Sequence, residues 1–155
     1  MEERQFRNAM GKFATGITVV SLEYNKEIMA MTVNAFMSVS LSPRLIAISI
    51  DEKARMYDKI GEVKAFGLSI LSKDQIELSK IFAKQVTSKE KVPFTYLDCV
   101  PVLEGALTAL SCRVNNTIKA GDHVIYIAEV TEDYTLMEDE PVIYFSGKYR
   151  YLEET

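Results

Sequence analysis

Two strand-like runs joined through a corner of small and hydroxylated residues constrain this chain most: Ala30 to Ile50 reads AMTVNAFMSVSLSPRLIAISI. Met29 to Val33 and Arg44 to Ile50 have the composition of strands, the second with Ile46, Ile48 and Ile50 on one face and Leu45 on the other. Between them Asn34, Ala35, Phe36, Met37, Ser38, Val39 and Ser40 lead to a turn at Leu41-Ser42-Pro43. Small side chains in such a corner let a flat ligand approach the backbone, whose N–H groups can donate to ring nitrogens and carbonyl oxygens. The same pattern describes a plain β-meander corner whose serines bond their own backbone. On the residues alone both stand.

A chain of 155 residues suits a single domain, 1–155, with a substantial core. Its net charge of -4, from 18 basic and 22 acidic side chains in no long block, argues against nucleic acid as a partner. No run approaches the length of a membrane span, and the start of the chain is charged and amphipathic, so no membrane partner and a cytoplasmic location are expected. Cys99 and Cys112 form no CxxC pair. With the single His123 they cannot build a four-ligand zinc site unless carboxylates join, which favours thiols that pack, and no metal is expected.

Along the chain, Glu3 to Ala14 sets Phe6, Met10 and Phe13 on one stripe, the spacing of an amphipathic helix that covers a barrel end and stops at Thr15-Gly16. Ile17 to Tyr24 and Glu27 to Val33 are strands around an Asn25-Lys26 hairpin turn. Asp51 to Val63 is a charged loop entering a helix with Met56 and Ile60 inward. Ala65 to Leu71 is a strand, and Ser72 with Gln75 forms a capping box before a helix whose inner side holds Ile76, Ser79 or Lys80, and Ala83. Lys84 to Val100 lacks periodicity and reads as an excursion or the wall of a site. Leu110, Cys112 and Val114 share a strand face, Gly121-Asp122 turns the chain into HVIYIAEV, and Pro141 to Phe145 is a last strand before a basic, aromatic tail. About seven strands with two or three helices predict a mainly β fold, an antiparallel barrel with helices plugging or covering its ends. No GxGxxG follows a strand and no Walker A pattern occurs, which disfavours nucleotide-binding α/β folds.

Catalytic side chains are sparse. His123, beside Asp122, could serve a nucleophile, yet no GxSxG elbow exists. The carboxylates at Asp51-Glu52 and Glu138-Asp139-Glu140 lie in hydrophilic turns. A site built mostly from backbone suits a cofactor that brings its own reactivity.

Five segments in order, FRNAMGKFATGITVVS (Phe6 to Ser21), MTVNAFMSVSLSPRL (Met31 to Leu45), LS..FA (Leu78 to Ala83), PVLEGAL (Pro101 to Leu107) and AGDHVIYIAEV (Ala120 to Val130), give the chain its family likeness. It resembles the short flavin reductases, the reductase components of two-component flavin-dependent monooxygenases. The resemblance implies a Greek-key split β-barrel that binds FMN, or FAD, uses NADH or NADPH as co-substrate, works as a homodimer and serves a flavin-dependent oxygenase. It further implies that Thr32, Val33, Asn34 and Ala35 line the isoalloxazine with Ser38 nearby. Ser49, Ile50, Asp51, Glu52, Lys53, Ala54 and Arg55 would wrap the ribityl chain and phosphate, and Ala83, Lys84 and Lys89 would close the phosphate side. His123, in the GDH motif, would stand at the nicotinamide, with Ser146 to Tyr149 at the same opening. Ala35 stands where relatives commonly carry serine, and Ser146 where they often carry arginine. Other outcomes are a protein that keeps its flavin and passes electrons to ferric complexes or another acceptor, a non-catalytic flavin-binding module, or a barrel for some other small ligand.

Overall fold

The computed structural model describes residues 2–84, 92–135 and 138–153. Helix α1 (Glu3–Met10) precedes strands β1 (Thr18–Tyr24), β2 (Glu27–Val33), β3 (Phe36–Leu41) and β4 (Arg44–Asp51). Then come α2 (Tyr57–Val63), β5 (Ala65–Ile70), a 3-10 turn at Lys73–Gln75 and α3 (Ile76–Phe82). The rest is strand: β6 (Phe94–Leu97), β7 (Val100–Leu103), β8 (Thr108–Ala120), β9 (His123–Thr135), β10 (Ile143–Phe145) and β11 (Lys148–Arg150).

Seven strands pair in the order β2-β1-β5-β8-β9-β4-β3, antiparallel throughout. The outermost strands, β2 and β3, are joined by Asn34 and Ala35 alone. Three Cα steps reach at most about 11 Å, whereas a flat sheet of seven strands would hold its edges roughly 29 Å apart. The sheet must therefore curl until its edges nearly meet. A split barrel results, and its seam is the Asn34-Ala35 link.

Alternation fills the barrel. Val20, Leu22, Ile48, Ile50, Phe66, Leu68, Val124 and Tyr126 form one buried cluster, which Met56, just before α2, and Ile60 of α2 close. Burying each large apolar side chain stabilises the fold by about 1.5–3 kcal/mol. A second cluster, Ile17, Val19, Leu71, Leu103 and Val142, lies against partly buried residues of α3 and the β10–β11 hairpin. Asn25 and Lys26 both take positive φ, the geometry of a two-residue hairpin turn. The Ser72–Gln75 capping box forms as expected.

Several expectations are corrected. The Phe6, Met10 and Phe13 stripe is exposed in the single chain rather than buried on a barrel end, with Phe13 at 80 %. Phe36 to Leu41 is a strand paired with β4, so the corner shrinks to Asn34-Ala35. The end of the excursion from Lys84 to Val100 is the first part of a hairpin, Phe94 to Leu103, that turns at Asp98-Cys99, both at positive φ. Cys99 is thus exposed, while burial pushes the Cys112 thiol up to about 12. Ala83 is exposed at the end of α3 instead of facing inward. Among the described residues the strand count is eleven, because short hairpins flank the main sheet. No helix among the described residues is long and apolar enough to cross a membrane.

Candidate functional site

A groove of about 1140 Å³ opens at the seam. One wall is the start of the chain, with Met10, Phe13 and Thr15; the opposite residues are Asn34 and Ala35, followed by Phe36 and Met37 of β3. Ala47, Ile48 and Ser49 of β4 and Ile125 of β9 extend the sheet side, and Tyr144, Ser146 and Gly147 belong to the C-terminal hairpin. Strand pairing explains the grouping. The Ser49 N–H donates to Ala35 O at 3.1 Å, Ser49 lies opposite Ile125, and Asp51 lies opposite His123. With side chains alternating along a strand, His123 and Ile125 point to the same face, although only Ile125 lines the groove itself.

The start and the end of the chain are laced together here. Thr15 and Tyr144 exchange backbone hydrogen bonds at 3.0 and 2.8 Å, and Ser146 N–H donates to Gly11 O at 2.9 Å. Thr15 Oγ1, at the groove, is buried and has no hydrogen-bond partner among the described residues. Such an unmet polar group in the wall of an open groove is one that a ligand can satisfy.

Of the residues expected at a site, Asn34, Ala35, Ser49 and Ser146 line the groove. The others divide. The Val33 and Ile50 side chains are buried in the core, and Val33 O already accepts from Thr18 Oγ1, so Ile50 and Val33 offer a ligand no side chain. Ala54 packs against the same core. Thr32 Oγ1 donates to Ser79 O at 2.6 Å, and the Ser79 hydroxyl in turn pairs with Tyr149 OH at 2.9 Å, so both expected hydroxyls are engaged with α3. Ser38 is exposed on β3 beyond the groove.

The turn after β4 is organised by Asp51, whose Oδ1 accepts the Lys53 N–H at 2.9 Å. Glu52 is ion-paired to Lys119. Lys53 and Arg55 are exposed and make no ion pair among the described residues, and Lys84 is exposed at positive φ just past α3. Lys89 lies outside the described residues. His123 Nδ1 is 2.8 Å from Asp122 Oδ1, and this neighbour holds the Asp122 carboxyl below the usual carboxylate range. An ionised carboxylate only accepts, so Nδ1 carries the proton of this bond and Nε2 is left free to meet a ligand. No cluster of three or more His, Cys, Asp or Glu residues suited to a metal occurs among the described residues.

Sequence reasoning missed the first wall and the aromatic one. Arg7, Lys12, Phe13, Phe36 and Tyr144 line the groove. For Arg7, Lys12 and Phe13 the signal lies in the Phe6 to Ser21 segment, whose apolar stripe reads as the cover of a barrel end; Phe36 and Tyr144 lie outside that segment. Three comparisons bear on what such a groove holds. A family model described as the flavin reductase like domain matches residues 10–153. An NADH-dependent flavin reductase from a Rhodococcus species is 39% identical over 150 residues, covering 95% of this chain and 85% of that one. The reductase component of 4-hydroxyphenylacetate 3-monooxygenase from Thermus thermophilus is 35% identical over 147 residues, covering 95% of each. The solved structure of the flavin reductase PheA2 in its native state matches with a TM-score of 0.96 at 49% identity, covering 99% of this chain and 100% of that one.

Proposed function

The chain belongs to the flavin reductase-like family, and from that premise we propose that it is an NAD(P)H:flavin oxidoreductase, reducing FMN or FAD for a partner monooxygenase. The observation that carries this is the seam groove, because the short Asn34-Ala35 link that closes the barrel also lines it. When bound, the nicotinamide donates a hydride and the flavin accepts it, so the chain needs no acid or base of its own.

What the residues contribute is shape and orientation. Asn34 and Ala35 are small enough to let a planar ring approach the backbone, while Phe36, Met37 and Ile125 give apolar walls that exclude water. Thr15 Oγ1 and the half-buried Ser49 hydroxyl offer polar contacts in that apolar setting. His123, its ring fixed by Asp122, presents Nε2 to an amide such as the nicotinamide carboxamide, which can both donate and accept. Lys53, Arg55 and Lys84, exposed near the ends of β4 and α3, suit a flavin phosphate. The groove exceeds the roughly 300–1,000 Å³ of ordinary ligand pockets, which leaves room for two ligands together.

A homodimer belongs to the same proposal. Phe6, Met10, Phe13, Met37, Val39 and Leu41 are exposed apolar residues on α1, its following turn and the edge strand β3, a surface that a second copy can cover. We place the protein in the cytoplasm, where its nicotinamide co-substrate is available. Stopped-flow oxidation of NADH and NADPH with FMN, FAD and riboflavin tests the function. Flavin-dependent oxidation is expected, and the absence of oxidation with all three flavins refutes the reading.

A further inference from the structure

Within the groove lining the charged side chains are Arg7 and Lys12, both cationic, in a chain whose net charge is -4. Both belong to the opening FRNAMGKFATG segment, to which the flavin and nicotinamide reading gives no electrostatic task. Arg7 bonds Glu3 at 2.9 Å, but the pair is exposed at 76 % and 81 %, where an ion pair contributes little. The guanidinium retains further N–H donors. Lys12 is held differently. Its Nζ is 3.3 Å from Ser146 Oγ and 5.7 Å from the centre of the Phe145 ring, and no carboxylate among the described residues pairs with it. A neutral hydroxyl and a ring face orient the ammonium without neutralising it.

We propose that Arg7 and Lys12 form an anion subsite for the linked phosphates of a dinucleotide. The inference rests on the flavin reductase reading and deepens it. The cations assigned to a flavin monophosphate, Lys53, Arg55 and Lys84, do not line the groove, which leaves this pair for a second anionic group. Two cations in the lining of one groove match a pyrophosphate, which carries two negative charges and oxygens for a forked guanidinium. FAD and the nicotinamide co-substrate both carry that group, and the two sources are separable.

The test uses the purified protein with Arg7→Gln, Lys12→Gln and Lys12→Arg. Dissociation constants for FAD, FMN and riboflavin come from flavin fluorescence quenching, and those for NAD+ from calorimetry, at low and high salt. Each glutamine variant should weaken the dinucleotide by about two- to fivefold, the range of one exposed charge interaction. It should also flatten the salt dependence, while Lys12→Arg restores most of the loss. A rise confined to FAD identifies the flavin as the source, and one confined to NAD+ identifies the nicotinamide. No rise with either, or an equal rise for riboflavin or FMN, overturns the subsite. A wild-type protein that oxidises no NADH with any flavin overturns the functional reading instead, since the binding constants still report on Arg7 and Lys12.

Discussion

Asn34 works at two scales of distance at once: it spans the gap between the two sheet edges, and its side chain is exposed into the groove. A bulky replacement there fills ligand space while leaving the core untouched. Asn34→Trp is therefore expected to abolish FMN binding in a fluorescence titration with little change in the thermal unfolding midpoint; an unchanged titration counts against the assignment. His123 differs, because its ring is fixed by Asp122 and lies on the same strand face as the groove residue Ile125. Losing one positioning hydrogen bond costs about 1 kcal/mol, so His123→Ala should raise the KM for NADH several-fold with flavin affinity nearly intact. A fall of several orders of magnitude in turnover at saturating NADH would point to proton transfer instead.

At the level of elements, β5 and β7 approach closely at Gly67. A Cβ on Gly67 would lie 2.1 Å from Pro101 O and 2.7 Å from Val102 Cγ1, and Pro101 O already accepts from the buried Ser21 hydroxyl at 2.6 Å. Backbone cannot yield there as a flexible side chain could. Gly67→Ala should destabilise the fold by about 3 kcal/mol or more, read as a lowered denaturation midpoint with an unchanged slope. Contacts of this sort explain what the sequence could convey. Local signals were legible: the Asn25-Lys26 turn, the Ser72–Gln75 box, and the alternation of Val124, Tyr126, Ala128 and Val130, since each is decided within a few residues. Periodicity groups Phe6, Met10 and Phe13 on one face but cannot say whether that face meets a core, a groove or another chain. The β6–β7 hairpin escaped notice because its turn uses Asp98 and Cys99 rather than a glycine. For the site, the motif located Asn34, Ala35 and Ser49. It could not reveal that Val33 and Ile50 face the core, or that Tyr144 is brought in from the far end of the chain.

For the whole molecule, the exposed apolar surface makes association the expected state. Leu41 is 89 % exposed on an edge strand, and with Phe13 it gives a direct test: sedimentation at micromolar concentration should give twice the chain mass. Phe13→Glu with Leu41→Glu should weaken that association by roughly tenfold or more. A monomer with flavin bound contradicts the dimer. The lacing of the first segment to the last carries a different consequence. Lys12 and Ser146 are 134 residues apart in the chain, and closing a loop of that length costs about 4 kcal/mol in chain entropy before any contact rewards it. The barrel strands are tied by seven-strand pairing, whereas this wall hangs on a three-residue hairpin strand and a few backbone bonds. It should therefore behave as a separate, weaker cooperative unit. In native-state hydrogen exchange the amides of Thr15, Tyr144 and Ser146 should exchange through a sub-global opening, while those of Val20, Leu68 and Val124 wait for complete unfolding. That unit forms one wall of the groove, so the groove can change its shape while the barrel stays folded.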